Sequence, residues 1–281
     1  MSGFSAQWLA LREPADHRSR NEAVREAALE MFDGSEVAHL VDLGCGSGSN
    51  LRALAPYLPR IQEWRLVDFD AALLEAARIA LAEWADHSEL EADGALRLEK
   101  DGKSLFVTFQ QADLARELDA VLAGRIDLVT AAAFFDLAAA PWIETFCAAM
   151  TARNLPLYTV LTYDGVEIWR PQNDSDEAML AAFHAHQAND KGFGPAAGPQ
   201  AIEALSRGFG AAEWEIQIGQ SAWMLDSKDA PLIAMLAQGS ADAVRETGRI
   251  APREIEEWLA SRKKADICVI GHADFLARPS N

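Results

Sequence analysis

Short apolar runs alternate along the first 160 or so residues with segments whose apolar side chains recur every three or four positions. Residues 38–43 (AHLVDL), 64–68 (WRLVD), 126–131 (IDLVTA) and 157–163 (LYTVLTY) are apolar on both sides of the chain and too short for helices, so they predict buried strands. Residues 50–58, 71–84, 114–122 and 141–152 carry helical spacing, and Pro141 suits a first helical turn. Residues 95–99 and 105–110 flank Lys-Asp-Gly-Lys, which predicts a hairpin because Asp101-Gly102 tolerates the backbone of a tight turn. Strand and helix alternating at this interval require a mainly parallel sheet with helices on both faces.

The flanks are less regular. Residues 7–12 form a short apolar helical turn that Pro14 is expected to break, and 21–32 form a second helix. Beyond Tyr163, Asp164-Gly165 predicts a turn into a short extended piece at 166–170. Helices follow at 176–190, 200–207, 231–246 and 252–264, with two last strands at 212–218 and 267–272. The reading is one domain over 1–281: N-terminal helices at 1–35, a core at 36–163, then cap helices and the last two strands at 164–281.

Composition narrows the classes of partner. The 281 residues are half apolar and carry a formal charge of −18, from 43 acidic and 25 basic side chains. Such a surface repels a phosphate backbone, whose binding depends on Lys and Arg, and it repels anionic membranes for the same reason. No apolar run approaches the roughly 20 residues of a membrane span, and the opening residues lack a signal peptide's apolar centre. Cys45, Cys147 and Cys268 show neither paired nor metal-type spacing, which fits buried thiols in a cytoplasmic protein. Monomer and homodimer both remain open, since residues 231–264 suit either a cap or a dimer surface.

The segment that carries chemistry is Val41-Asp42-Leu43-Gly44-Cys45-Gly46-Ser47-Gly48-Ser49-Asn50. A strand delivers a turn whose glycines let a ligand approach the backbone, followed by a helix start with free N–H groups. The dinucleotide fingerprint needs a third glycine where Ser49 stands. Asp42 would also oppose a pyrophosphate, whereas it suits a cationic amino group. Two further carboxylates are placed alike: Asp68 ends the second predicted strand and Asp113 follows the third.

In these features the chain resembles the class I (Rossmann-like) methyltransferases that use S-adenosylmethionine (SAM), over about residues 37–163 and in outline beyond. The resemblance implies an α/β fold: a seven-stranded, doubly wound, mostly parallel sheet with one strand antiparallel, N-terminal helices, and a helical cap after strand five. It implies SAM as cofactor, held by Asp42, Gly44, Gly46, Gly48 and Asn50 around the turn. Asp68 would accept the ribose hydroxyls, as a diol suits a bidentate carboxylate. Phe69 would lie against the adenine, Asp113 and Leu114 would meet its edge, and Ala131 would let the backbone near the methyl group. Asp70 and Asp113 also suit helix N-caps.

The acceptor is less defined. The stretch Thr130-Ala131-Ala132-Ala133-Phe134-Phe135-Asp136 lacks the Asn/Asp-Pro-Pro-aromatic motif of base methylation. Asp136 alone does not supply a metal-binding set, so no metal is expected. Candidates beside the methyl group include Trp8, Arg12, Asp164, Trp169, His184, Lys191, Phe193, Trp223 and His272. Tyr163 at a strand end, Asp136, and His186 oriented by Asp190 four residues on are the expected catalytic groups; an ordinary surface pair is the plain alternative for His186. The glycine-rich loop 193–199 reads as a lid or pocket wall. The leading expectation is metal-independent methyl transfer to an oxygen or nitrogen of a small molecule. A SAM-binding regulatory protein without transfer, a protein methyltransferase and, last, a nicotinamide-dependent oxidoreductase are the alternatives.

Overall fold

Strands buried on both faces need continuous apolar runs, and the centre of the sheet is built from these. A computed structural model describes residues 5–190 and 192–280. Two helices, α1 (Ala6–Ser19) and α2 (Glu22–Leu29), lead into β1 (Val37–Leu43), and α3 (Ser49–Leu54) follows the glycine turn. Next come β2 (Ile61–Asp68), α4 (Ala71–Trp84), β3 (His87–Leu90), β4 (Leu96–Lys100) and β5 (Lys103–Gln111). Then α5 (Leu114–Val121), β6 (Leu128–Ala132), α6 (Ala140–Ala152) and the long β7 (Leu157–Arg170) complete the parallel half. The remainder is α7 (Asp176–Gln187), α8 (Ala201–Gly210), β8 (Glu215–Gln220), β9 (Trp223–Leu225), α9 (Ala230–Thr247), α10 (Pro252–Arg262) and β10 (Ile267–Arg278).

The sheet of the described residues has ten strands, not the seven expected, in the order β3-β4-β5-β2-β1-β6-β7-β10-β8, with β9 on β10. Its centre, β5-β2-β1-β6-β7, is parallel, and β10 runs antiparallel to both β7 and β8. The additions to a seven-stranded frame are β3, β4 and β9. Every residue of β3 is exposed, so no apolar period announces it; it forms by pairing with β4. The hairpin of β4 and β5 turns at Asp101-Gly102, both at positive φ (49° and 74°).

Three local expectations are corrected. Helix α1 runs through Pro14, because a proline removes only one helical bond and α1 is tied down on both sides of it. The helix expected over 50–58 ends at Leu54 and tightens into a 3₁₀ turn at Ala55–Tyr57, where Pro56 intervenes. Asp164-Gly165 makes no chain reversal. Tyr163 pairs with His272 and Glu167 with Ile270, so residues 164–166 form a bulge within one continuous strand, Gly165 taking φ +91°. The partner strand carries Gly271 opposite the bulge, where a Cβ would meet the Asp164 carboxylate in its present rotamer.

Two cores cover the two faces of the sheet. One packs Leu40, Trp64 and Leu66 beneath α1–α4 and extends under α7, α9 and α10, the cap; the other packs Val41, Leu43 and Val129 against α5, α6 and α8. Among the described residues no helix is long and apolar enough to cross a membrane. The contact of α6 with α8 is close enough to require Gly208, since a Cβ there would lie 2.7 Å from both Cβ and Sγ of Cys147. Gly208→Ala is therefore expected to destabilise the fold by about 1–3 kcal/mol of overpacking. Urea unfolding measures this, and an unchanged midpoint would refute the contact.

Candidate functional site

The glycine turn is shaped by positive φ at each of its glycines: +62° at Gly44, +53° at Gly46 and +78° at Gly48. Side-chain-bearing residues rarely adopt this backbone. The turn folds over the end of β2: Gly46 N–H donates to Asp68 Oδ2 at 2.9 Å, and Asp70 N–H donates to Oδ1 at 2.9 Å. Burial raises the Asp68 carboxyl above its ordinary range, and those N–H groups hold it back in part. Each carboxylate oxygen keeps a further lone pair for a ligand.

Asp42 is fully buried on β1. Asn50 Nδ2 donates to Asp42 Oδ1 at 2.7 Å and to Thr130 Oγ1 at 3.0 Å, while Asp42 Oδ2 and Asn50 Oδ1 have no partner. Burial pushes Asp42 up to about 7 against the opposing pull of Asn50 and the Arg20 guanidinium. Arg20, which the sequence reading missed, is buried at the end of α1 with Nε and Nη1 unpartnered. Nothing in its sequence context signals this, because its neighbours come from distant strands. Ala131 is buried opposite Leu43, and Phe69 is exposed beside Asp68. Asp113 caps α5 through Ala115 N–H at 3.0 Å, and the Leu114 carbonyl accepts from Trp142 Nε1 at 3.1 Å. Asp42, Asp68 and Asp113 thus stand at one edge, at the ends of β1 and β2 and just past β5.

Protein side chains close over the turn. A Cβ on Gly44 would lie 2.7 Å from the Phe134 ring, and one on Gly46 2.9 Å from Leu9. Leu9 is held there because α1 is anchored to α3: Arg52 donates to both Glu13 oxygens at 2.8 and 2.5 Å, and His17 Nε2 lies 3.0 Å from Ser49 Oγ. Phe134 is backed by Phe193, their centroids 5.7 Å apart, so the 193–199 loop is a wall on this side.

Beyond β6 a buried polar cluster forms. Tyr163 Oη lies 2.9 Å from His184 Nε2 and donates to Glu167 Oε1 at 3.2 Å. Asp136 is buried, pushed up to about 6 by desolvation, and its Oδ1 has no partner. His272 is pushed down to about 3 by burial and by Arg12, and sits 5.1 Å from the Trp223 ring centroid. Arg12 forks onto Asp16 at 2.9 and 3.1 Å and lies 5.0 Å over Trp223, whose Nε1 also donates to Asp16 at 3.1 Å. The Arg12–Asp16 spacing of one helical turn was the readable sign of this pair.

The expected His186–Asp190 pair does not form. Helix α7 ends at Gln187, so the helical offset does not reach Asp190, which accepts from Gly192 and Gly194 N–H instead. His186 bonds Glu246 of α9 at 2.8 Å, and its neighbour on the same helix, His184, meets Tyr163. Lys191 lies outside the described residues. A cavity of about 240 Å³ lies not at the glycine turn but past Tyr163, against Glu167, Trp169 and Trp258.

No family model matches the chain, and no curated protein matches it. Solved structures do. The YcgJ protein of Bacillus subtilis is 13% identical, with 93% of this chain and 100% of that one covered and a TM-score of 0.48. A cyclopropane-fatty-acyl-phospholipid synthase-like protein of Lactobacillus casei is 14% identical, with 95% and 98% covered and a TM-score of 0.49. A SAM-dependent methyltransferase of Thiobacillus denitrificans, solved with S-adenosylhomocysteine, is 15% identical, with 93% of each chain covered and a TM-score of 0.44. At these identities and TM-scores the likeness alone assigns no activity.

Asp42 gives a stability test. Its carboxyl titrates near 7 when folded against an ordinary 3.8, so the folded state holds the proton more tightly. Stability from this group is therefore greatest below about pH 4 and falls as pH rises towards 7. Asp42→Asn, which keeps an oxygen for Asn50, is expected to be more stable than wild type at about pH 8, by at most about 4 kcal/mol. The gap should close towards pH 4. Denaturant melts at both pH values measure it, and a less stable variant at pH 8 would refute the buried-charge account.

Proposed function

We propose that the chain binds SAM at the glycine turn and transfers its methyl group to an oxygen or nitrogen of a small molecule, without a metal. The observation that carries this is Asp68: a buried carboxylate at the end of β2, fixed by Gly46 and Asp70 N–H and flanked by glycines at positive φ. A ribose diol needs an acceptor so placed. Asp42 and Arg20 add unpartnered atoms of opposite charge, which suit the ammonium and carboxylate of an amino acid end. Asn50 would orient Asp42, Phe69 would cover the adenine, Asp113 and Leu114 would meet its edge, and Ala131 would leave room at the methyl group.

Methyl transfer from a sulfonium is an in-line displacement. Bound SAM would supply a sulfonium methyl group to the acceptor lone pair, the carbon–sulfur bond breaking as the new bond to carbon forms. The protein's main contribution is alignment and exclusion of water. An acceptor that carries a proton must lose it, and Asp136, titrating near 6, suits a base. Burial keeps His184 neutral and Tyr163 protonated, so this pair would hold the acceptor by hydrogen bonds. The acidic surface favours a small acceptor over nucleic acid, and three buried unpaired thiols suit the cytoplasm.

One observation favours the second reading, a SAM-binding protein without transfer: the turn is covered by the chain's own Leu9 and Phe134. Formation of S-adenosylhomocysteine with a small acceptor separates the two. For the cofactor, calorimetry should show SAM binding to the wild type and an affinity about 10- to 100-fold weaker in Asp68→Asn, the worth of a charged hydrogen bond. Circular dichroism should stay unchanged. Equal affinity in the variant would refute the ribose assignment.

A further inference from the structure

The bulge in β7 points Glu167 into a place with no counter-charge. Among the described residues no basic side chain pairs with it; the Tyr163 hydroxyl donates to it at 3.2 Å, and the Trp169 indole N–H also faces it. Burial raises its carboxyl above the ordinary range. A desolvated carboxylate without a cation is costly. In front of it lies the cavity of about 240 Å³ between β7, α7, α9 and α10. Its walls are aromatic: Trp169 and Trp258 meet edge to face at 5.8 Å, and Phe183 lines another side. Two further carboxylates, Asp176 and Glu177, stand in its lining. Asp176 is already engaged by Trp258 Nε1 at 2.8 Å and by Arg262 at 3.7 Å, which leaves Glu167 as the inner acceptor.

We propose that this cavity is a binding site for a small organic ammonium ion, its charge set against Glu167 and its carbon-bearing face against Trp169, Trp258 and Phe183. The chemistry selects the ligand class. Carboxylates reject an anion. A metal ion requires several oxygen or nitrogen ligands, and the described residues hold no such group. A neutral apolar ligand would leave the carboxylate desolvated and unpaired. An alkylammonium satisfies both halves, through the ion pair and through attraction to the ring faces. The cavity lies below the roughly 300–1,000 Å³ of drug-sized pockets, which limits the ligand to a small amine or quaternary ammonium. The site is separate from the glycine turn, none of whose residues line the cavity. The assignment does not depend on the methyltransferase reading.

The probes are tetramethylammonium and choline, with 3,3-dimethylbutan-1-ol as choline's uncharged isostere, titrated calorimetrically into the full chain. Both cations should bind and the isostere should not. Glu167→Gln should weaken choline at least about tenfold, and Phe183→Leu, which keeps apolar volume but removes the ring face, should weaken it less. SAM affinity, measured on the same samples, should be unchanged in both variants, which separates this site from the cofactor site. Absence of cation binding, equal binding of the isostere, or undiminished choline affinity in a folded Glu167→Gln would overturn the proposal and leave a solvent-filled packing gap.

Discussion

The bond from Gly46 N–H to the Asp68 carboxylate is the constraint on which the sheet's working edge depends. It ties the turn after β1 to the end of β2, so two neighbouring parallel strands finish in one fixed arrangement. A glycine at positive φ is needed to bring that N–H down onto the carboxylate, and the carboxylate must be dehydrated to receive it. The raised Asp68 carboxyl is the cost of this arrangement.

Helix α1 is the second element of that arrangement. Its ion pair to Arg52 and its histidine contact to Ser49 seat it across the turn, so that Leu9, Arg12, Asp16 and Arg20 all face the end of the sheet. Buried charges therefore gather from both directions. Asp42 and Arg20 lie below the turn, and Asp136, His272 and Arg12 lie beside it. Burial pushes Asp42 and Asp136 up and His272 down, each towards the uncharged form. A core designed only for stability would not retain so many desolvated ionisable groups, several with atoms that have no partner.

The bulge in β7 extends the working region beyond the parallel sheet. Because residues 164–166 are accommodated rather than turned back, β7 continues along β10 and carries Glu167 and Trp169 under the cap helices. The same strand thus supplies Tyr163 to the cluster near Asp136 and Glu167 to the aromatic cavity, with the Tyr163 hydroxyl bridging to both Glu167 and His184. The α7–α9–α10 cap consequently has a chemical lining as well as an apolar one.

Local period and local chemistry were enough to read the parallel half of the sheet, the glycine turn, the hairpin at Asp101-Gly102, and the carboxylates at 42, 68 and 113. Each of these is decided by neighbours in sequence: apolar runs make buried strands, and positive φ demands glycine. What sequence left open was decided by partners far along the chain. The wholly exposed β3 exists only because β4 pairs with it, and Asp164-Gly165 bulges rather than turns because β10 holds the strand on both sides. Helix α1 passes through Pro14 while anchored to α3. His186 goes to Glu246 because α7 ends before Asp190, and the burial of Arg20 depends on strands that no local pattern could bring to it. Side-chain periodicity fixes which face a residue takes; only tertiary packing fixes which distant group it meets and how far it is taken out of water.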